Sequence, residues 1–306
     1  MKRRDFIKAS LAGGLAMGTA LSFGQYYPLF YKSVPPQDYD LAAIKGGSPE
    51  AMFDKAIEVM GGMKKFVKKG QTVVVKPNIG WDVPPERAAN TNPALVKRII
   101  EHCYQAGAKT VYVFDNTCDN WSKCYQNSGI EKAAKEAGAK VVPGNTESYY
   151  HAVEISNGIK LKKAKVHELI MESDVFINVP ILKHHGSADM TLSMKNLMGV
   201  VWDRRYWHLH DLHQCIADYA TFSKKPTLNI IDAYRVLMKN GPRGTNESDV
   251  KMFQSQIIST DMLAADAAAI ALFGKKPEDV RYMNLASALK VGEKDLSKLK
   301  IARLSM

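Results

Sequence analysis

The sequence has few cysteines, and they are too widely scattered for a metal–thiolate centre. Only Cys103, Cys118, Cys124 and Cys215 occur, with no Cys-x-x-Cys pair, so no iron–sulfur cluster or zinc knuckle is expected within this chain. There is no glycine-rich phosphate loop, no Gly-x-Ser-x-Gly elbow and no His-Glu-x-x-His helix, which removes those enzyme classes. Repeats and low-complexity tracts are absent as well. Acidic side chains are in deficit, 31 against 42 basic, for a formal net charge of +11. A basic balance suits anionic ligands, membranes or nucleic acid. Zinc-finger spacing, an arginine-rich arm and RNA-binding signatures are all missing, so no nucleic-acid partner is expected.

What is present suffices for a globular core. At 306 residues and 46% hydrophobic, the chain can form one large α/β domain or two small ones. Cys118 and Cys124 fall in one loop and could pair in an oxidising compartment. Cys103 lies on the apolar face of an expected helix, as a small core residue would.

The amino terminus reads as an address. Arg3-Arg4-Asp5-Phe6-Ile7-Lys8 precedes an apolar run from Ala9 to Phe23, which is short for a bilayer-spanning helix. The pair Arg3-Arg4 resembles the twin-arginine export signal. That resemblance implies the twin-arginine translocation machinery as a partner and the periplasm as destination. It also implies folding before export, which suits a preloaded cofactor. Gly18-Thr19-Ala20 offers a small-residue cleavage site, and retention as an N-terminal anchor is the alternative. We divide the chain into a signal or anchor segment (1–24), a linker (25–38) and an α/β domain (39–306). With Lys2, Arg3, Arg4, Lys8 and Asp5 set aside, 38 basic residues still face 30 acidic ones.

Hydrophobic patterning predicts strands over 39–45, 72–76, 111–115, 140–142, 175–179, 228–232, 256–259 and 299–304. Helices are predicted after Ser48-Pro49 and Thr91-Asn92-Pro93, and over 128–137, 165–171, 261–273 and 277–289. A hairpin over 149–161 would turn at Asn157-Gly158. Unalternating runs such as Thr72-Val-Val-Val-Lys76 suit strands covered on both faces. The expected fold is α/β, a mainly parallel β-sheet with helices on both faces.

The chemistry gathers beyond one strand. Pro180 should end the run Val175–Val179, and five of the eight histidines lie between 184 and 213. Ligands of such sheets sit beyond the carboxyl ends of strands. We therefore assign Lys183, His184, His185, Lys195 and Asp232 as catalytic candidates. Lys76, Asn78, Asn196, Arg243 and Gly244 are anion- or cofactor-binding candidates, and His208 with His210 a metal pair, a divalent ion being the option. Gly241-Pro242-Arg243-Gly244 is either a cradle for an anion or a plain surface turn. Asp261 is expected to cap its helix. Asp266 is expected on that helix's exposed side; buried, it would need a cationic partner.

Lys76-Pro77-Asn78, Thr91-Asn92-Pro93, Leu182-Lys183-His184-His185, Met194-Lys195-Asn196-Leu197-Met198-Gly199, Asn240-Gly241-Pro242-Arg243-Gly244 and Asp261-x-x-Ala264-x-Asp266 together resemble the domain-of-unknown-function 362 family. The match runs from about Asp40 to Gly274. Membership implies a fold and a site without a settled reaction. Some relatives carry ferredoxin-type segments; this chain lacks their cysteines, so electron transfer would need a separate redox partner. A fainter similarity is to the nickel-pincer lactate racemase family, in which a lysine after a glycine pair carries the cofactor. Here Lys195 follows His185 by ten residues, but Ser193-Met194 stands in place of the glycines.

Two functions follow. One is an exported enzyme that binds a small anionic substrate or cofactor, with Lys/His/Asp chemistry and a metal as an option. The alternative is a non-catalytic ligand-binding or redox-accessory protein, favoured by a shallow basic face.

Overall fold

The computed structural model describes residues 33–35 and 37–306. The signal segment expected over 1–24 and most of the linker lie outside the described residues.

Twelve strands occur among them. In chain order they are β1 (Leu41–Lys45), β2 (Thr72–Pro77), β3 (Thr110–Val113), β4 (Lys140–Val141), β5 (Tyr150–Glu154) and β6 (Lys163–His167). Then come β7 (Val175–Val179), β8 (Ile181–His185), β9 (Asp189–Thr191), β10 (Leu228–Leu237), β11 (Val250–Ser259) and β12 (Ile301–Ser305). The main sheet runs β12-β1-β11-β10-β7-β2-β3-β4, with β8 and β9 attached beside β10. β10, β7, β2, β3 and β4 are all parallel, and β11 is the antiparallel strand between β1 and β10. The mainly parallel α/β expectation holds.

Both faces are covered, which explains the unalternating apolar runs. Val73 and Val75 pack with Met52, Phe53, Leu95 and Val96 of helices Pro49–Val59 and Pro93–Gln105. Val74 and Phe176 belong to the opposite core, with Ile216 and Leu263 of helices Leu212–Tyr219 and Met262–Phe273. Each such fully buried aliphatic side chain contributes about 1.5–3 kcal/mol. A carboxylate at Val74 would break the layer.

Four local expectations are corrected. The hairpin exists, but its second arm is β6, paired as Tyr150↔His167 through Glu154↔Lys163, so 163–167 is strand and the helix is only Glu168–Glu172. Pro180 interrupts without ending: its carbonyl accepts the Asp232 N–H at 2.9 Å, and β8 carries on along β10. Lys183, His184 and His185 are therefore strand residues. Asp266, expected on the exposed side of its helix, is fully buried, and its partners are backbone amides with no cation among them. Helices at Trp121–Asn127, Ser193–Asn196, Arg204–Leu209 and Leu212–Tyr219 were not foreseen. Asp261 does cap its helix, accepting from Leu263 and Ala264. All four cysteines are free, Cys103, Cys124 and Cys215 buried and Cys118 exposed.

Candidate functional site

β2 and β7 are paired in register from Val73↔Val175 to Pro77↔Val179 and then part. The chain after β2 runs to Asn78 and that after β7 into β8, leaving a crevice at the carboxyl edge of the sheet. Thr91 pins the near side: its Oγ1 accepts the Asn78 N–H at 2.8 Å and donates to the Val179 carbonyl at 2.7 Å. Asn92 caps its helix at Ala94, and its own N–H donates to Asp232 Oδ2 at 2.8 Å.

Helix Ser193–Asn196 closes the crevice from above. The Asp266 carboxylate accepts the Ser193 and Met194 N–H groups at 2.7 and 3.1 Å, anchoring the first turn. Burial pushes the Asp266 carboxyl up to about 7. The helix thereby delivers Lys195 and Asn196 to the crevice.

A buried polar network forms the floor. Lys76, wholly inaccessible, donates to Asn196 Oδ1 at 2.8 Å and pairs with Asp115 Oδ1 at 2.9 Å. Asn78 Nδ2 also reaches Asn196 Oδ1 at 3.0 Å, and Lys183 Nζ donates to Asn78 Oδ1 at 2.9 Å. Asn196 Nδ2 donates to Asn178 Oδ1 at 2.9 Å. Burial pulls the Lys76 ammonium down and pushes the Asp115 carboxyl up, and their mutual attraction opposes both shifts. Gly199 lies against this pair: a Cβ there would fall 1.8 Å from Asp115 Oδ1 and 2.6 Å from Lys76 Nζ. Only glycine allows that approach.

Two connected hollows lie above the floor. An inner chamber of about 50 Å³ is bounded by Lys76, Asn78, Asp115, Lys183 and Asn196, and an outer cleft measures about 1070 Å³. His185, Lys195, Arg204, Cys118, Trp81 and Pro242 line both. One water needs roughly 10–15 Å³ on this measure, so the chamber admits a group of a few heavy atoms and the cleft a whole ligand.

The Lys195 ammonium has no hydrogen-bond or ion-pair partner among the described residues. Burial holds it down to about 8 and Lys183 down to about 7, so both titrate near neutrality. His185 Nδ1 accepts from Ser187 and Ala188 N–H, which leaves any ring proton on Nε2. Burial, then Lys195 and Lys183, hold that ring far below its usual value and hence neutral. Arg204 is fixed by carbonyls, donating to Asn116 O at 2.8 Å and Thr117 O at 2.7 Å, with Cys118 Sγ at 3.6 Å.

Lys76, Asn78, Lys183, His185, Lys195 and Asn196 thus converge. Others do not. Asp232 is buried with its oxygens on the Asn92 and Tyr234 N–H groups and lines neither hollow; burial pushes it up to about 6. His184 accepts the Gly241 N–H at 3.1 Å and supports that turn. Arg243 turns out towards Asp119 at 3.8 Å, and Gly244 gives its carbonyl to Arg87, so of this turn only Pro242 reaches the hollows. His208 lines the cleft, whereas His210 stacks on Tyr206 at 3.9 Å. The metal pair is not brought together, and no group of three or more His, Cys, Asp or Glu able to hold a metal occurs among the described residues. The donor set does not fit a metal centre. Asp115, Arg204 and Cys118 also belong here and were not among the assigned candidates; Asp115 carries the sequence signal of a polar strand exit and Arg204 that of the basic cluster following His185.

The thylakoid-associated protein sll1697 of Synechocystis sp. is 27% identical over 240 residues, 74% of this chain and 73% of the relative. The lactate racemase apoprotein of Thermoanaerobacterium thermosaccharolyticum superposes with TM-score 0.48 at 12% identity, over 78% of this chain and 58% of that one. A Thermotoga maritima protein gives TM-score 0.45 at 10% identity, over 85% of this chain and 60% of its own. The chain thus spans about three-fifths of the length of those two solved chains. Residues 73–271 match the model of the domain of unknown function DUF362, and the chain belongs to that family.

Proposed function

We propose that the protein is an enzyme that binds a small anionic substrate in the inner chamber, with Lys195 as its proton-transfer group. The observation that carries this is the Lys195 ammonium, unpartnered in the wall shared by chamber and cleft. A partly buried cation left without a counter-ion favours an incoming anion. An amine near pH 8 can also give or take a proton under ordinary conditions. Lys183 adds charge from below, and neutral His185 offers Nε2–H as a hydrogen-bond donor beside it. Lys76, paired with Asp115, keeps the floor rigid and orients Asn196.

Cys118 provides the test, since it lines both hollows and the other three cysteines are buried. Small carboxylates and inorganic phosphate should slow its alkylation by iodoacetamide, and Lys195→Met should remove that protection. Equal protection in the variant would sink the proposal. We further propose that Arg3-Arg4 and the run from Ala9 to Phe23 carry the folded chain to the periplasm through the twin-arginine machinery.

A further inference from the structure

The rim of the outer cleft carries a surface that the chamber chemistry does not use. Ile159 and Leu209 are 57% and 67% exposed, two of the few large apolar side chains that project from the described surface. Beside them stand Lys160, Lys162 and Arg205, all exposed, with no carboxylate within ion-pairing distance among the described residues. Lys163 and Lys165, by contrast, are matched by Glu154 and Glu147.

These residues come from two elements joined edge to edge. The Tyr206 hydroxyl donates to the Lys160 carbonyl at 3.2 Å, tying helix Arg204–Leu209 to the β5–β6 connection. That connection is itself fixed: Asp218 Oδ2 accepts the Lys160 and Leu161 N–H groups at 2.7 and 2.8 Å. Two exposed aliphatic side chains are thus held on joined elements, Ile159 adjacent in sequence to Lys160 and Leu209 one helical turn from Arg205.

We propose that this rim docks on an anionic lipid surface, Ile159 and Leu209 entering the headgroup boundary while Lys160, Lys162 and Arg205 meet lipid phosphates. Charge complementarity selects the partner, because the flanking cations make no ion pair with a carboxylate among the described residues. Apolar insertion combined with basic contacts is the two-signal arrangement that peripheral membrane binding requires. Each lysine or arginine near an anionic surface is worth about fivefold in affinity, so three give on the order of a hundredfold. Lys160, Lys162 and Arg205 also line the outer cleft, so the docked protein turns the cleft's mouth towards the membrane.

The test is sedimentation of the full chain with vesicles, comparing phosphatidylcholine alone with a mixture containing phosphatidylglycerol. The N-terminal segment contributes equally to every variant, so differences report the rim. Lys160→Glu/Lys162→Glu/Arg205→Glu should weaken binding to the anionic vesicles at least tenfold, and Ile159→Ser/Leu209→Ser several-fold. All five positions are exposed, and an unchanged circular dichroism melt checks the fold. Binding to anionic vesicles that is the same in wild type and either variant overturns the proposal.

Discussion

Lys76 and Asn196 lie 120 positions apart, and their buried side chains meet at 2.8 Å. The amide is fully engaged: its oxygen accepts from Lys76 and Asn78, and its nitrogen donates to Asn178. It therefore has one orientation, and the lysines on either side of it have fixed positions.

Replacing it with an apolar side chain of similar size should be costly. Asn196→Leu leaves a buried ammonium and two buried amides short of partners, and we expect a loss of about 2–4 kcal/mol. The shift in urea midpoint measures it; a loss below about 1 kcal/mol would mean that the network is not a structural unit.

Gly199→Ala forces a methyl into the Lys76–Asp115 pair and should destabilise by about 3 kcal/mol or more. Gly80→Ala is the control, because a Cβ there meets its nearest atom, Asn78 Oδ1, at 3.8 Å. Its cost should stay near 1 kcal/mol or less. Equal midpoint shifts for the two would contradict the packing described.

Buried carboxyls and buried lysines should contribute to stability in opposite senses across pH, with the neutral His185 and His167 rings, both held below 6.5 by burial, opposing the carboxyls on the acid side. Asp232 and Asp266, raised from 3.8 to about 6 and about 7, hold protons longer folded than unfolded. Their contribution is complete below pH 4 and fades as pH climbs through 6–7. Lys183 and Lys195, lowered from 10.5 to about 7 and about 8, behave oppositely. Their contribution grows from pH 7 towards 10.5 and is lost on descending through 8 and 7. Urea midpoints from pH 4 to 10, taken as differences from wild type, read each contribution: the difference for Asp266→Asn should change chiefly between pH 4 and 7, and that for Lys195→Met between pH 8 and 10. Anion protection of Cys118 should weaken over the same alkaline range as the lysines discharge.

Export is checked with the same chain. Arg3→Lys/Arg4→Lys should leave the protein in the cytoplasmic fraction of a bacterial host, while the unaltered signal delivers it to the periplasm. Delivery of both would remove the twin-arginine assignment.

Much of the architecture was legible because burial on two faces leaves runs such as 72–76 and 175–179 apolar without alternation. The site's lysines were legible for a related reason, since charged residues directly after such runs must lie at the sheet edge. Residues 165–167 were misread as the start of a helix, although the strand Lys163–His167 alternates in exposure up to Val166, the mark of a half-covered strand. Asp266 was misplaced because an alanine-rich helix carries no polar face by which to judge direction. Asp232 has the right chemistry in the right neighbourhood, yet backbone N–H groups claim its oxygens, and sequence does not record such claims. Arg204 depends on carbonyls of residues 116 and 117, a contact that no local pattern announces.

The parting of β2 and β7 takes place at two prolines, Pro77 at the end of one strand and Pro180 just beyond the other. Neither ring has a hydrogen to offer a neighbouring strand, so the ladder cannot zip onward and seal the gap when nothing fills it. The hollow is thus preorganised, and an arriving ligand spends none of its affinity prising strands apart. Its capture should involve little backbone movement and proceed at the pace of ordinary molecular encounter.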